Sequence, residues 1–224
     1  MNMKRVLSFF ARLSVGASAL LLPTIGGAAP ECVKIVQGET IQAALLRSNP
    51  RQDELLTRLV YAEGLSSGFP DDALVYEAIA WGVMNRVRLS EASTALKKRY
   101  GNGIAGVIFR KSQFNPAVSP RSQFSKEFLC PKDPARWQIA ATAAKMALDG
   151  SDNPFMQNAW EKDHGLSLVV SFYYPQSLQA RGPLPPWEGS QELEFVDRVE
   201  FNGAVLPPDR VRFYRLARPP ADIK

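Results

Sequence analysis

Hydrophobic residues recur at helical spacing in three long segments of the chain. Gly68 and Pro70 separate the first segment from the second, and Gly150 provides a stop after the third. The pattern predicts long helices over residues 53–63, about 72–87 and 134–149. Weaker patterns predict short helices near 41–46 and 91–99, a short helix or buried turn over 103–109, and a loop rich in proline and serine over 116–125.

The last third of the chain has a different pattern. Residues 166–174, "LSLVVSFYY", are typical of a strand, and residues 211–216 predict another. Asn202 and Gly203 lie between two apolar segments within 198–206, which favours a hairpin. Strands and helices do not alternate along the sequence. We therefore predict an α+β fold, with a helical body followed by a small antiparallel β portion.

The N-terminal segment is typical of a cleaved export signal. Lys4 and Arg5 precede a mostly apolar stretch over 13–25, and "GGAAP" at 26–30 supplies small residues for cleavage after Ala28. Arg12 interrupts the apolar run, which is short of the roughly 20 residues that span a bilayer. We predict a signal peptide at 1–28 and one domain at 29–224, exported to the periplasm or outside the cell. A retained anchor is the alternative, and we expect membrane contact only through the signal.

The predicted mature chain has nearly equal numbers of basic and acidic residues. The chain has 27 basic and 22 acidic residues, and loss of Lys4, Arg5 and Arg12 leaves 24 basic residues against the same 22. No basic helix or long run of lysine and arginine remains, so we do not expect a nucleic-acid partner.

The chain has two cysteines, Cys32 and Cys130. An even cysteine count in an exported chain predicts a disulfide. Closing a loop of roughly 100 residues would stabilise the fold by at most about 4 to 5 kcal/mol. Two unpaired thiols are the alternative.

Glu63 is the unusual residue of the first long helix. It follows Val60, Leu59, Leu56 and Leu55 by three, four, seven and eight residues, so it shares their apolar face. A carboxylate there loses hydration unless it is paired, protonated or placed at the wall of a cleft. The alternatives are a helix end that reaches solvent, or an ion pair with Arg58 or Arg86.

Other chemistries have weaker sequence support. His164 is the only histidine and neither cysteine has a partner at zinc-site spacing, so we predict no metal and no cofactor. "GLSSG" at 64–68 matches a nucleophile elbow around Ser66, but a helix precedes it where a strand is needed. Cys130 and His164 could form a cysteine-peptidase pair, although Pro131 follows the cysteine. A withdrawn glutamate, by contrast, can protonate a glycosidic oxygen.

Four ordered blocks resemble the SleB-type cell-wall hydrolases, a family that includes spore cortex-lytic enzymes. The resemblance covers about 54–187 and implies a lysozyme-like fold that cuts the glycan strand of peptidoglycan, as a lytic transglycosylase or by hydrolysis. It places the catalytic acid on Glu63, and Gln113, Phe114, Tyr173 and Tyr174 along the sugar cleft. The blocks are "LTRLVYAEG" at 56–64, "AIAWGVMNRVR" at 78–88, "GIAGVIFRKSQFNP" at 103–116 and "SFYYP" at 171–175.

Structural alternatives accompany these assignments. Phe114 and one of the two tyrosines could belong to the core, since adjacent strand residues point to opposite faces. Asn85 and Arg86 could hold their helix against neighbouring loops. Compared with the resemblance, the segments 90–102 and 117–130 are longer than expected. At the level of function, the alternative is a non-catalytic peptidoglycan-binding or envelope assembly protein on the same fold.

Overall fold

A computed structural model describes residues 28–150 and 152–223 of the chain. The predicted signal peptide lies almost entirely outside these residues. The helices are α1 (Ile41–Arg47), α2 (Gln52–Ser66), α3 (Ala73–Ala92), α4 (Thr94–Tyr100), α5 (Gly103–Ile108), α6 (Asn115–Val118), α7 (Ser125–Leu129), α8 (Pro134–Asp149) and α9 (Ala159–His164). The strands are β1 (Val169–Tyr173), β2 (Leu193–Val196), β3 (Val199–Phe201), β4 (Ala204–Leu206) and β5 (Arg212–Leu216).

Helices α2, α3 and α8 pack against one another and form the centre of the molecule. Their boundaries follow from local chemistry. Asp72 caps α3 by accepting a hydrogen bond from the Leu74 amide, and Asp133 caps α8 before Pro134. Gly150 ends α8 in the left-handed conformation with φ of 77°. The three long helices are therefore confirmed, and α2 and α3 extend beyond the predicted ends.

A three-stranded antiparallel sheet packs against this helical core in the order β1, β5, β2. Strand β1 lies against α3 at Gly82, where an added Cβ would come within 2.9 Å of the Phe172 ring. Strands β3 and β4 form a separate hairpin. Its turn residues Asn202 and Gly203 have φ of 49° and 83°, the left-handed conformation that a tight hairpin turn requires. The α+β prediction is confirmed at this level.

Several boundaries differ from the sequence-based prediction. The predicted helix at 91–99 is wrong in its start, because α3 continues to Ala92 and the Ser93 side chain then caps α4 by accepting from the Leu96 amide. The predicted loop at 116–125 contains most of α6. Helices α7 and α9 and strand β2 were not predicted.

The predicted disulfide joins Cys32 to Cys130 and anchors the N-terminal segment to the end of α7. The Val33 amide donates to the Leu129 carbonyl at 2.9 Å, and Arg58 donates to the Glu31 carbonyl at the same distance. A disulfide is typical of an exported protein in an oxidising environment. In residues 28–150 and 152–223, no helix is long and apolar enough to cross a membrane.

Candidate active site

Glu63 lies in the last turn of α2 and is only 6% exposed. The same turn packs tightly against α3. An added Cβ on Gly64 would come within 2.4 Å of the Tyr76 ring, so only glycine allows this approach of the two helices. Glu63 therefore lies inside the helical core, and its carboxylate needs partners there.

Tyr174 supplies the hydrogen bond that Glu63 accepts. Its hydroxyl donates to Glu63 Oε2 at 3.1 Å, across 111 residues of sequence. Tyr174 follows the last residue of β1 and is 8% exposed. Within the described residues, this phenol is the only hydrogen-bonding partner of the Glu63 side chain.

Arg86 from α3 brings a buried positive charge to the same place. Its guanidinium donates from Nε to the Val170 carbonyl at 2.8 Å and from Nη1 to Gln113 Oε1 at 2.7 Å. It also lies over the Phe114 ring, with 4.9 Å between Cζ and the ring centroid. Arg86 is thus held by β1 and the segment before α6, and it acts on Glu63 through its charge.

Burial dominates the ionisation of these groups. It raises the pKa of Glu63 to about 7, against smaller opposing effects of the Tyr174 hydrogen bond and the Arg86 charge. Burial likewise raises the pKa of Tyr174 well above its usual value, so the phenol remains a hydrogen-bond donor. It lowers the pKa of Arg86 to about 10, which leaves the guanidinium charged at neutral pH. The raised pKa therefore allows Glu63 to hold a proton at a pH where an exposed glutamate is ionised.

The predicted sugar-contacting residues have different positions. Gln113 is half-buried and bonded to Arg86, and Tyr174 is bonded to Glu63. Tyr173 lies apart from them: its hydroxyl donates to the Gly182 carbonyl at 2.7 Å, and its ring meets the edge of Trp187. Sugar contacts by Gln113 and Tyr173 stay predictions.

Phe114 needs a correction. Its side chain is 1% exposed and packs against Arg86 and the Phe172 ring. A ring without accessible surface cannot stack on a sugar, so we assign Phe114 to the apolar surroundings of Arg86. Tyr174 is 8% exposed and hydrogen-bonded to Glu63, and its contact with a sugar stays a prediction.

Arg58, Cys130 and His164 make other contacts. Arg58 pairs with Glu54 at 2.9 Å and donates to the Leu129 carbonyl, so it does not neutralise Glu63. Cys130 is oxidised in the disulfide and has no free thiol. His164 Nδ1 lies 2.8 Å from the Trp160 carbonyl, and its ring stacks on Trp160. These contacts give no support to a serine or cysteine nucleophile with His164 as its base.

Two further properties limit the chemistry of the site. In the part of the chain that the structure describes, no cluster of three or more His, Cys, Asp or Glu side chains could hold a metal ion. The large concavity of about 1000 Å³ next to Trp137 and Met146 does not include Glu63 among its lining residues. The site is therefore a small buried cluster, distinct from that concavity.

The role of Arg86 as an anchor was not predicted in this form. The sequence indicated only that Arg86 could pair with Glu63 or hold its helix, because the carbonyl that it binds belongs to Val170, 84 residues later. Comparison with known protein families, with curated proteins and with solved structures gives no match to the chain.

Proposed function

We propose that the protein is an exported enzyme that cleaves the glycan strand of peptidoglycan, with Glu63 as its acid and base, on a lysozyme-like fold. The convergence of four sequence blocks on one carboxyl group carries this proposal. Glu63, Arg86, Gln113 and Tyr174 come from the four blocks that resemble SleB-type hydrolases, and hydrogen bonds or charge connect them.

Glu63 has the ionisation that such a reaction needs. With a pKa of about 7, it holds a proton for the glycosidic oxygen at neutral pH and is a useful base after giving it up. The C1–O bond of the muramoyl residue breaks as the oxygen takes the proton. The resulting carboxylate then removes a proton from the nucleophile that attacks C1, and Glu63 returns to its starting state.

The surroundings of Glu63 favour an internal nucleophile. Within the described residues, Arg86 is the only charged side chain whose field shifts the pKa of Glu63. Glycosidases with two carboxylates keep a second acidic residue close to the first. A single acid suits the lytic transglycosylase reaction, in which the C6 hydroxyl of the same sugar attacks C1 and closes a 1,6-anhydro ring.

The test is product analysis with purified peptidoglycan. We expect the wild-type protein to release anhydro-muramoyl products, identified by mass spectrometry, and Glu63→Gln to reduce their rate of release by at least about 100-fold. The substitution preserves volume and the acceptor for Tyr174. Reducing ends without anhydro sugars would indicate hydrolysis by water, and unchanged activity of Glu63→Gln would remove the assignment.

Glu77→Gln is the matched control. Glu77 also lies on a long helix and is half-buried, and burial raises its pKa too. It has no described contact with Glu63, so we expect this variant to retain wild-type activity. Equal losses of activity in both variants would indicate a general effect of removing a partly buried carboxylate.

A non-catalytic peptidoglycan-binding protein is the second candidate. The observation that favours it is the 6% exposure of Glu63, which leaves little room for a glycosidic oxygen in this conformation. Sedimentation with cell walls without any released sugar would support binding alone.

A further inference from the structure

A groove of about 390 Å³ lies between the segment 115–123 and residues 178–179. We call it the loop groove. Its volume is within the range of about 300 to 1,000 Å³ that small-molecule sites occupy. The segment 115–123 includes part of the stretch that is longer than the family resemblance implies, so the resemblance does not account for this groove.

Both walls of the loop groove are close in sequence to residues of the Glu63 cluster. Asn115 follows Gln113 by two residues, and Gln113 is bonded to Arg86. Leu178 follows Tyr174 by four residues, and the Ser177 amide donates back to the Tyr174 carbonyl at 3.2 Å. At 3.8 Å for each Cα step, the groove begins within roughly 15 Å of both residues. The groove is therefore close enough to the Glu63 cluster for a single polymer to reach both.

The walls of the loop groove offer free polar groups. Asn115, Gln123 and Gln179 are exposed, and within the described residues their side-chain amides form no hydrogen bond. Amides both donate and accept, which suits hydroxyl and acetamido groups. Local hydrogen bonds order one wall: the Ser122 amide donates to the Ser119 carbonyl, and Ser125 Oγ donates to the Ser122 carbonyl.

Arg121 and Leu178 give the groove a more specific character. Arg121 is exposed, and in residues 28–150 and 152–223 its guanidinium has no hydrogen bond or ion pair. A free guanidinium can bind a carboxylate through two parallel hydrogen bonds. Leu178 is 91% exposed, an apolar side chain that covers nothing in the protein itself. The groove thus combines amides, a free cation and an apolar tip.

We propose that the loop groove binds a peptide-substituted part of the glycan strand, with Arg121 pairing to a carboxylate of the peptide stem and Leu178 contacting the alkyl part of that stem. This inference rests on the proposed function. The peptide stems of peptidoglycan carry free carboxylates and short alkyl side chains, whereas the bare glycan lacks these stems. The groove would therefore distinguish strands with peptides from strands without them.

The experiment compares two substrates and two arginine variants. Two substrates are cleaved by the wild-type protein, by Arg121→Gln and by Arg218→Gln: intact peptidoglycan, and the same glycan stripped of its peptides by an amidase. The lactyl carboxylate that the amidase exposes is first blocked as an uncharged amide, so that the stripped glycan offers no new anion to Arg121. Arg218 is the matched control, since it is also exposed and without a described partner but lies near the C-terminus. We expect Arg121→Gln to raise KM about tenfold on intact peptidoglycan, with kcat and the stripped substrate unaffected. Arg218→Gln should behave as wild type.

The outcomes separate this inference from the proposed function. Equal effects of Arg121→Gln on both substrates, or no effect on either, would overturn the role of the groove while leaving cleavage by Glu63 intact. If the wild-type protein cleaves neither substrate, the proposed function fails, and sedimentation of the same variants with both substrates then tests the groove. A preference of wild type for peptide-bearing walls that Arg121→Gln loses would support it, and equal sedimentation would reject it.

Discussion

Two glutamates in the described part of the chain have less than a tenth of their surface exposed, and their surroundings are opposite. Glu161 at the start of α9 is fully buried, and Glu63 at the end of α2 is nearly so. Glu161 accepts hydrogen bonds from the amides of Gln157, Asn158 and Leu168 at 2.8 to 3.1 Å, and Arg215 pairs with it at 3.3 Å. Glu63 accepts one hydrogen bond, from a phenol.

The position on the helix increases the contrast. Glu161 lies in the first turn of α9, where free amides and the helix dipole favour a negative charge. Glu63 lies in the last turn of α2, where the dipole opposes one. Burial alone therefore does not mark a functional carboxyl. Glu63 differs from Glu161 in being buried without enough partners to hold its charge, and the proposed acid and base would need this property.

The largest expected effect concerns the contribution of Glu161 to the stability of the fold. Glu161→Ala should lower the free energy of unfolding by about 3 to 5 kcal/mol, because it leaves Arg215 and three amides without their common acceptor. Urea unfolding at pH 7 measures this loss. Glu200→Ala is the control: Glu200 pairs with Arg198 on the surface, and we expect a change within about 0.5 kcal/mol. Similar losses for both would show that Glu161 is no better bound than a surface carboxylate.

The second prediction concerns the free energy of unfolding that the protein loses when the buried Glu63 ionises. Its pKa rises from 4.5 to about 7 on folding, so the folded protein keeps a proton that the unfolded chain releases between these values. Wild-type stability should therefore fall as the pH rises through this window, by about 3 kcal/mol in full. Glu63→Gln does not titrate, so it should be more stable than wild type by about that amount at pH 8 and nearly equal at pH 4.

Thermal unfolding at several pH values measures this difference. A Glu63→Gln protein no more stable than wild type at pH 8 would mean that the carboxylate is well accommodated, and the comparison with Glu161 would lose its basis. Loss of activity together with gain of stability in the same variant is the combination that a functional buried acid predicts.

Helix α8 shows how far the sequence alone leads in the fold. Both of its ends were predictable, because Asp133, Pro134 and Gly150 act through local backbone geometry. Strand β2 was not, since its four residues have no distinctive pattern of their own and its pairing with β5 defines it. Local signals were sufficient for elements with their own caps and insufficient for elements that depend on distant partners.

The candidate site divides in the same way. Glu63 was identifiable because a charge interrupts an apolar helical face. Which tyrosine of the adjacent pair faces it was not, since that depends on how β1 packs against α3, and the structure turns Tyr174 towards Glu63 and Tyr173 towards Trp187. The burial of Phe114 could not be predicted either, because it depends on contact with Arg86, 28 residues earlier.

The smallest expected effect concerns Tyr174, whose hydrogen bond favours the charged form of Glu63 and so lowers its pKa. Tyr174→Phe removes that bond and should raise the pKa of Glu63 further. The proton donor then persists to higher pH, and the alkaline limb of the activity profile should move upward by less than about one pH unit. Rates of anhydro-sugar release between pH 5 and pH 9 would measure the shift.

Tyr173→Phe is the matched control, because the neighbouring hydroxyl donates to the Gly182 carbonyl and faces away from Glu63. We expect its pH profile to coincide with that of wild type, whatever happens to the maximum rate. A downward shift in Tyr174→Phe, or the same shift in both variants, would mean that the phenol does not act on the carboxyl group. The ionisation of Glu63 would then depend on burial and on the charge of Arg86 without the phenol.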